Sequence, residues 1–244
     1  MSGPLQILAR GAAAVLISLG AAAGCGPVER EAQIAQPLSI DQAVTVTTPD
    51  GETLLVSRAE VTWQDWKLCH DAGACSYLPK PALRDTAQPF PVVGVSRLDV
   101  DEFIAWVNQR GERRYRLPTA AEWESFAADL PKPEIKKLFD DPRLAWAADY
   151  GKMEGIPTRV EPSGGFGSLK NGIQDLGGSV WEWTATCGVG EVDDERCPAY
   201  VAEGLHAAVI SLFIRDPAAG GCSSGAPPPH VGFRLVSETE PLQS

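Results

Sequence analysis

Between Asn171 and Trp183 the chain reads NGIQDLGGSVWEW, and residue types capable of chemistry are gathered most closely here. Val180-Trp181-Glu182-Trp183 is a strand signal. Successive strand side chains face opposite sides, so Glu182 points away from the face carrying Trp181 and Trp183. Just before it, Asp175, Gly177 and Gly178 form a polar, glycine-rich turn. A turn folding back beside the strand brings Asp175 and Glu182 near one another. Carboxylates together with free backbone carbonyls are what a hard cation such as Ca²⁺ needs. The alternative is a hairpin corner with a solvated Asp175 and a Trp-rich core strand.

Other chemistry-bearing residues are sparse. Cys69 and Cys75 bracket the end of an expected helix, and in an exported chain this close pair is most simply a local disulfide. A metal or redox role would require more ligands or a CxxC spacing. Cys187 and Cys197 lie in one polar loop and are expected to close it as a second disulfide. Cys222, in the run GGCSSG, has no adjacent base or histidine and is the candidate free, unactivated thiol. Its pairing with Cys187 or Cys197 is the alternative. His70, His206 and His230 include no pair at helical ligand spacing and read as surface or loop residues. No HExxH, P-loop or GxGxxG pattern occurs. Asp140-Asp141 and Asp193-Asp194-Glu195 read as solvated loops.

The elements that must position these residues follow an N-terminal address. Arg10 precedes an apolar run, Ala12 to Ile17, that continues through small residues to Ala22-Ala23-Gly24-Cys25. The run is too short to span a bilayer stably but suits a secretory signal, residues 1–24. Small residues before Cys25 resemble a bacterial lipobox, with Cys25 as the acylated first residue of the mature chain. Ala22 stands where such boxes usually have Leu, which leaves ordinary signal-peptidase cleavage as the alternative. Gly26 in place of Asp resembles sorting to the outer membrane. Residues 25–40 read as a lipidated tether, 41–238 as one folded domain and 239–244 as a tail.

A net charge of −11 disfavours nucleic acid and anionic membrane surfaces, so the expected membrane link is the lipid alone. Seven Trp against two Met point to rigid aromatic packing. Val44 to Thr47, the turn Pro49-Asp50-Gly51 and Thr53 to Val56 predict a hairpin. Thr62 caps an expected helix from Trp63 to Asp71, stopped by Gly73. Asp99 with Glu102 is read as the capping box of a helix from Val100 to Arg110. Thr119 with Glu122 is read as the box of a third helix presenting Trp123 and Phe126 inward.

Arg116 to Glu124 (RLPTAAEWE), Gly172 to Trp183 (GIQDLGGSVWEW) and Val231 to Arg234 (VGFR) resemble three signatures of the formylglycine-generating enzyme, or sulfatase-modifying factor, family. Glu60-Val61-Thr62 and Pro91 to Ser96 fit earlier family segments in the same order. The resemblance runs from about residue 43 to 236. It implies an α+β, C-type-lectin-like fold, irregular and loop-rich, with two main helices packed on short twisted antiparallel sheets. It also implies a structural calcium ion held by Asp175, Glu182 and the carbonyls of Gly178 and Val180. Ser179 stands where the family usually has Asn. A second family calcium loop would fall at Tyr150 to Arg159, which is too short and too poor in acids to rebuild it.

The resemblance fails at the chemistry. The family's oxidases hold copper with two cysteine thiolates that follow an Arg-Gly-Gly-Ser segment, and soft sulfur suits Cu(I). The matching span here, Leu205 to Arg215 (LHAAVISLFIR), contains neither. Arg215 resembles a family arginine, which alone performs no oxidation. Iron-using relatives draw histidines from an additional helical domain. The expectation is therefore a calcium-stabilised, non-catalytic binding or accessory module in the cell envelope, facing the periplasm or cell exterior. Its divergent region, Cys187 to Pro229, would meet an envelope protein, peptide or glycan. An oxidoreductase using copper or iron through a different ligand set is the competing expectation.

Overall fold

The computed structural model describes residues 37–111, 113–131, 157–190, 197–219 and 228–238. The expected hairpin is present: β1 (Ala43–Thr47) pairs antiparallel with β2 (Thr53–Ser57), from Ala43 opposite Ser57 to Thr47 opposite Thr53. Gly51 takes the left-handed turn conformation, φ 86°, which glycine adopts without steric penalty. A strand from the other end of the domain, β8 (Val236–Glu238), pairs with β2. On its far side β8 carries β3 (Tyr115–Arg116).

The second sheet has the order β6-β5-β4-β7, from β4 (Val180–Cys187), β5 (Ala199–Glu203), β6 (Ala208–Ser211) and β7 (His230–Gly232). Its pairs are antiparallel except β4 with β7, which run parallel, Val180 opposite His230 and Glu182 opposite Gly232. The sheets are thus antiparallel as expected, apart from this one pair. Gly232 is required at that crossing, because a Cβ there would stand 2.5 Å from the Val92 carbonyl oxygen.

Three helices pack on these sheets: α1 (Trp63–Asp71), α2 (Arg97–Val107) and the shorter α3 (Ala120–Phe126). Thr62 with Asp65 caps α1 and Thr119 with Glu122 caps α3. α2 begins three residues earlier than the sequence pattern predicted, with Ser96 as N-cap and Asp99 reaching back to its amide at 2.8 Å. Both Ser96-x-x-Asp99 and Asp99-x-x-Glu102 satisfy the capping rule. The tertiary structure decides between them. The Arg215 guanidinium fixes Asp99 through Nε at 2.8 Å and Nη2 at 2.7 Å. Glu102 instead accepts from the Ser76 amide and hydroxyl at 2.6 and 2.9 Å. Burial opposes the Asp99 charge, but Arg215 and Ser96 together hold its carboxyl below the usual carboxylate range.

The folded part begins before residue 41. Leu38, just before a short 3₁₀ turn, Ser39–Asp41, and Ile40 within it are buried, and the Ser39 amide donates to Asp65 in α1. The sequence reading missed this because two apolar residues two apart, inside a polar stretch, show no sustained period. Both expected local disulfides are present, Cys69–Cys75 and Cys187–Cys197, with Cα separations of 5.3 and 5.9 Å. The first pins the end of α1, and the second joins the end of β4 to the chain entering β5.

Two apolar clusters make the core. Trp66, Phe103 and Phe233 pack together with Trp181 and Trp183 in the larger one. Trp66 stacks on Phe103 with ring centroids 5.6 Å apart, and Phe233 meets both edge-on. Leu54, Val56, Trp123, Phe126, Ile173, Leu176 and Val236 form the smaller cluster. β4 is buried on both faces, so its charged member, Glu182, must find its partners inside the protein.

Candidate functional site

Glu182 is 1% exposed, and Arg234 is fully buried beside it. Arg234 donates from Nε to Glu182 Oε2 and from Nη2 to Oε1, each at 2.6 Å. The indole N–H of Trp123, reaching down from α3, donates to the same Oε2 at 2.8 Å. The remaining guanidinium donors go to the backbone: Nη1 to the carbonyls of Ser57 and Arg58 at 3.2 and 3.3 Å, Nη2 to that of Gln174 at 3.0 Å. One side chain therefore ties the end of β2, the turn before β4 and β4 itself. The fork geometry of arginine suits this, since a lysine ammonium offers no planar pair to a carboxylate.

Asp175 sits at the head of that turn with φ 65°, the one non-glycine residue at positive φ among the described residues. Asp tolerates this conformation because its short side chain can bond locally to the backbone. Here Oδ1 accepts from the Phe166 amide at 2.8 Å, Oδ2 accepts from the Gly164 amide, and the Asp175 carbonyl accepts from Gly178. Gly178 is packed between these loops, and a Cβ there would lie 2.7 Å from the Phe166 ring. Burial raises the Asp175 carboxyl above its usual range despite the two amide hydrogen bonds.

A third acid completes the cluster. Glu60, just after β2, is 1% exposed. Burial pushes its carboxyl up to about 8; nearby Arg234 opposes this, while the charges of Glu182 and Asp175 add to it. Sequence reasoning placed Glu60 and Arg234 only as members of short motifs. The available signal was chemical: a lone acid between Ala59 and Val61, and a lone base between Phe233 and Leu235.

Glu60, Asp175, Ser179 and Val180 line a narrow cleft of about 10 Å³, together with Glu161 and Phe166. That is room for a single water or ion. The Oε2 of Glu60 and the Oγ of Ser179 are buried there without hydrogen-bond partners. Of the four positions implied by the resemblance, Asp175 and Val180 line the cleft, Gly178 lies in the turn between them, and Glu182 turns to Arg234 and Trp123. Among the described residues no three Asp, Glu, His or Cys side chains already stand as a metal-holding group. The carboxylates of Glu60, Asp175 and Glu161 and the Ser179 hydroxyl are oxygen donors of the kind a hard cation takes, beside apolar Pro91, Phe166 and Val180. None of these lining residues offers the sulfur or imidazole ligands that suit copper.

Other expected site residues lie apart from this cluster. Cys187 and Cys197 are bonded to one another. Arg215, besides holding Asp99, lies over the Tyr77 ring at 3.7 Å. Cys25, Cys222, Asp140-Asp141, Asp193-Asp194-Glu195 and most of Tyr150 to Arg159 lie outside the described residues.

The family described as the sulfatase-modifying factor enzyme 1-like domain matches residues 21–239. The chain belongs to this family. Among similar proteins, the inactive C-alpha-formylglycine-generating enzyme 2 of Bos taurus is 33% identical over 116 residues, 44% of this chain and 36% of the relative. Its Mus musculus counterpart is 30% identical over 116 residues, 44% of this chain and 35% of the relative. The matched stretch thus spans little more than a third of either relative. Among solved structures, PvdO from Pseudomonas aeruginosa shares the fold, with a TM-score of 0.51 and 19% identity over 80% of this chain and 91% of that one. The sulfatase-modifying-factor domain is accordingly of the α+β, C-type-lectin-like class expected from its motifs, with three helices on two small sheets. In this domain the span 205–215, where the resemblance would place the family's copper thiolates, carries no cysteine and contains β6.

Proposed function

We propose that this chain is a cell-envelope lipoprotein whose sulfatase-modifying-factor domain is a non-catalytic binding or accessory module stiffened by a structural calcium ion. The observation that carries the reading is the commitment of the late cysteines. Cys187 and Cys197 are joined to each other, and the span 205–215 offers no thiol for Cu(I). The names of the bovine and murine relatives, both called inactive, point the same way. The calcium reading draws on the cleft beside Asp175, whose lining includes three acids, and the anchor on the apolar run and small residues before Cys25. The partner surface is the divergent region after Cys187, where Val189 and Phe213 are 51% and 69% exposed.

Metal analysis of the purified protein separates module from oxidase. Calcium without stoichiometric copper or iron is the expected result, whereas one copper or iron per chain would overturn the reading. The anchor has its own test. Cys25→Ser is expected to move the protein from the membrane fraction to the soluble fraction, and a variant that stays membrane-bound would place the anchor elsewhere.

A further inference from the structure

β1 is the outermost strand of its sheet, and its backbone shows which groups it leaves unpaired. The Arg58 amide donates to the Gln42 carbonyl at 2.7 Å, and the Thr48 amide donates to the Glu52 carbonyl at 2.8 Å. The even-numbered positions of this stretch therefore turn their amides and carbonyls towards β2. Those of Ala43, Thr45 and Thr47 point the other way, off the edge of the sheet. Side chains alternate as well: Val44 and Val46 are half-buried against the smaller core cluster, while Thr45 and Thr47 are exposed.

Folded proteins guard such an edge with charge, proline, a bulge or a very short strand. β1 has none of these. It reads AVTVT, its register with β2 is unbroken, and its five residues exceed the four, three and two of the other outer strands β6, β7 and β3. Residues 42–49 carry no charge in a chain whose net charge is −11, and the flanking acids Asp41 and Asp50 lie beyond both ends of the strand. A second copy is thus repelled least along this stretch. The stretch is also self-complementary, since the outward groups of Ala43, Thr45 and Thr47 are spaced evenly about Thr45.

We infer that β1 is a homodimerisation edge, pairing antiparallel with β1 of a second copy about a two-fold axis through Thr45. Thr45 then exchanges amide–carbonyl bonds with Thr45 of the second copy, and Ala43 does so with Thr47. Val44 faces Val46 in the closer, non-bonded pairs, and the two four-stranded sheets continue as one. One strand pair is a small contact beside the roughly 1,200–2,000 Å² of a stable interface, so the dimer is weak and reversible.

The test combines sedimentation of the purified full-length protein in detergent with cysteine cross-linking under mild oxidation. Wild type is expected to shift from monomer to dimer as its concentration rises. Thr45→Lys sets two like charges on the axis and is expected to stay monomeric with an unchanged Tm. In the paired strands the Thr45 Cα atoms stand about 5.5 Å apart, within disulfide reach, so Thr45→Cys should form a covalent dimer faster than the parent chain. Thr47→Cys, which faces Ala43 and not itself, should not. If Thr45→Lys fails to fold, the two cysteine variants carry the test. Thr45→Cys linking no faster than the parent would overturn the inference and leave the edge to an extended segment of another protein. A dimer that persists in folded Thr45→Lys, or Thr47→Cys linking as fast as Thr45→Cys, would equally overturn it.

Discussion

Arg234→Met is expected to destabilise the protein by about 3–5 kcal/mol, the usual penalty for removing one partner of a buried ion pair. The reason lies in what stays behind. Glu182 would keep only the Trp123 indole, and the carbonyls of Ser57, Arg58 and Gln174 would lose a charged donor. At roughly 2–4 °C per kcal/mol for a domain of this size, Tm should fall by about 6–20 °C. Arg234→Lys retains the charge but not the fork, so it is expected to lose a large part of the same stability. Adding Glu182→Gln to Arg234→Met should recover part of the loss, because the stranded charge is then removed. Urea denaturation of the three variants supplies the comparison. A loss below about 1 kcal/mol for Arg234→Met would mean the pair contributes no more than an exposed one.

Trp183→Ala is expected to cost about 3–5 kcal/mol, as for other fully buried aromatic truncations. Trp183 is wholly buried in the larger cluster, and its indole N–H donates to the Val95 carbonyl at 2.9 Å, just before the cap of α2. The substitution removes both the packing and the link that sets where α2 begins against β4. Trp183→Phe separates the two contributions. It keeps much of the volume and leaves the Val95 carbonyl unpaired, so a loss of about 1–3 kcal/mol is expected. Equal losses for Ala and Phe, measured by denaturant unfolding, would show that the hydrogen bond and not the packing carries the position.

Local signals were legible in the sequence wherever the structure follows a local rule. The hairpin at Asp50-Gly51, the caps at Thr62 and Thr119 and the two short disulfides all depend on residues at most fourteen apart. Ser96 and Asp99 show where that limit lies. The sequence reading pairs Asp99 with Glu102, whereas Asp99 closes the cap at Ser96 and is held by Arg215, 116 residues away. The candidate site was half legible for the same reason. Asp175 and the turn before Trp181 declare themselves by spacing, whereas Glu182 and Arg234 meet across 52 residues. Glu60 joins them from still farther away, and a single acid in the mixed run Ser57 to Thr62 carries no periodic signal that would reveal its burial.

The position of β8 has a consequence for the order in which the molecule can be completed. β2 and β3 lie in one sheet but touch β8 and not one another, and β7 reaches β4 only after the whole of the second sheet's other strands has been made. Arg234 lies in the short link between β7 and β8. A chain growing from its N-terminus therefore holds Glu60, Asp175 and Glu182 without their guanidinium, and both sheets without a member, until those last strands are synthesised. Such non-local closure is intrinsically slow. The polypeptide stays unlocked through nearly all of its synthesis, the condition under which a chain can still be threaded through a narrow translocation pore.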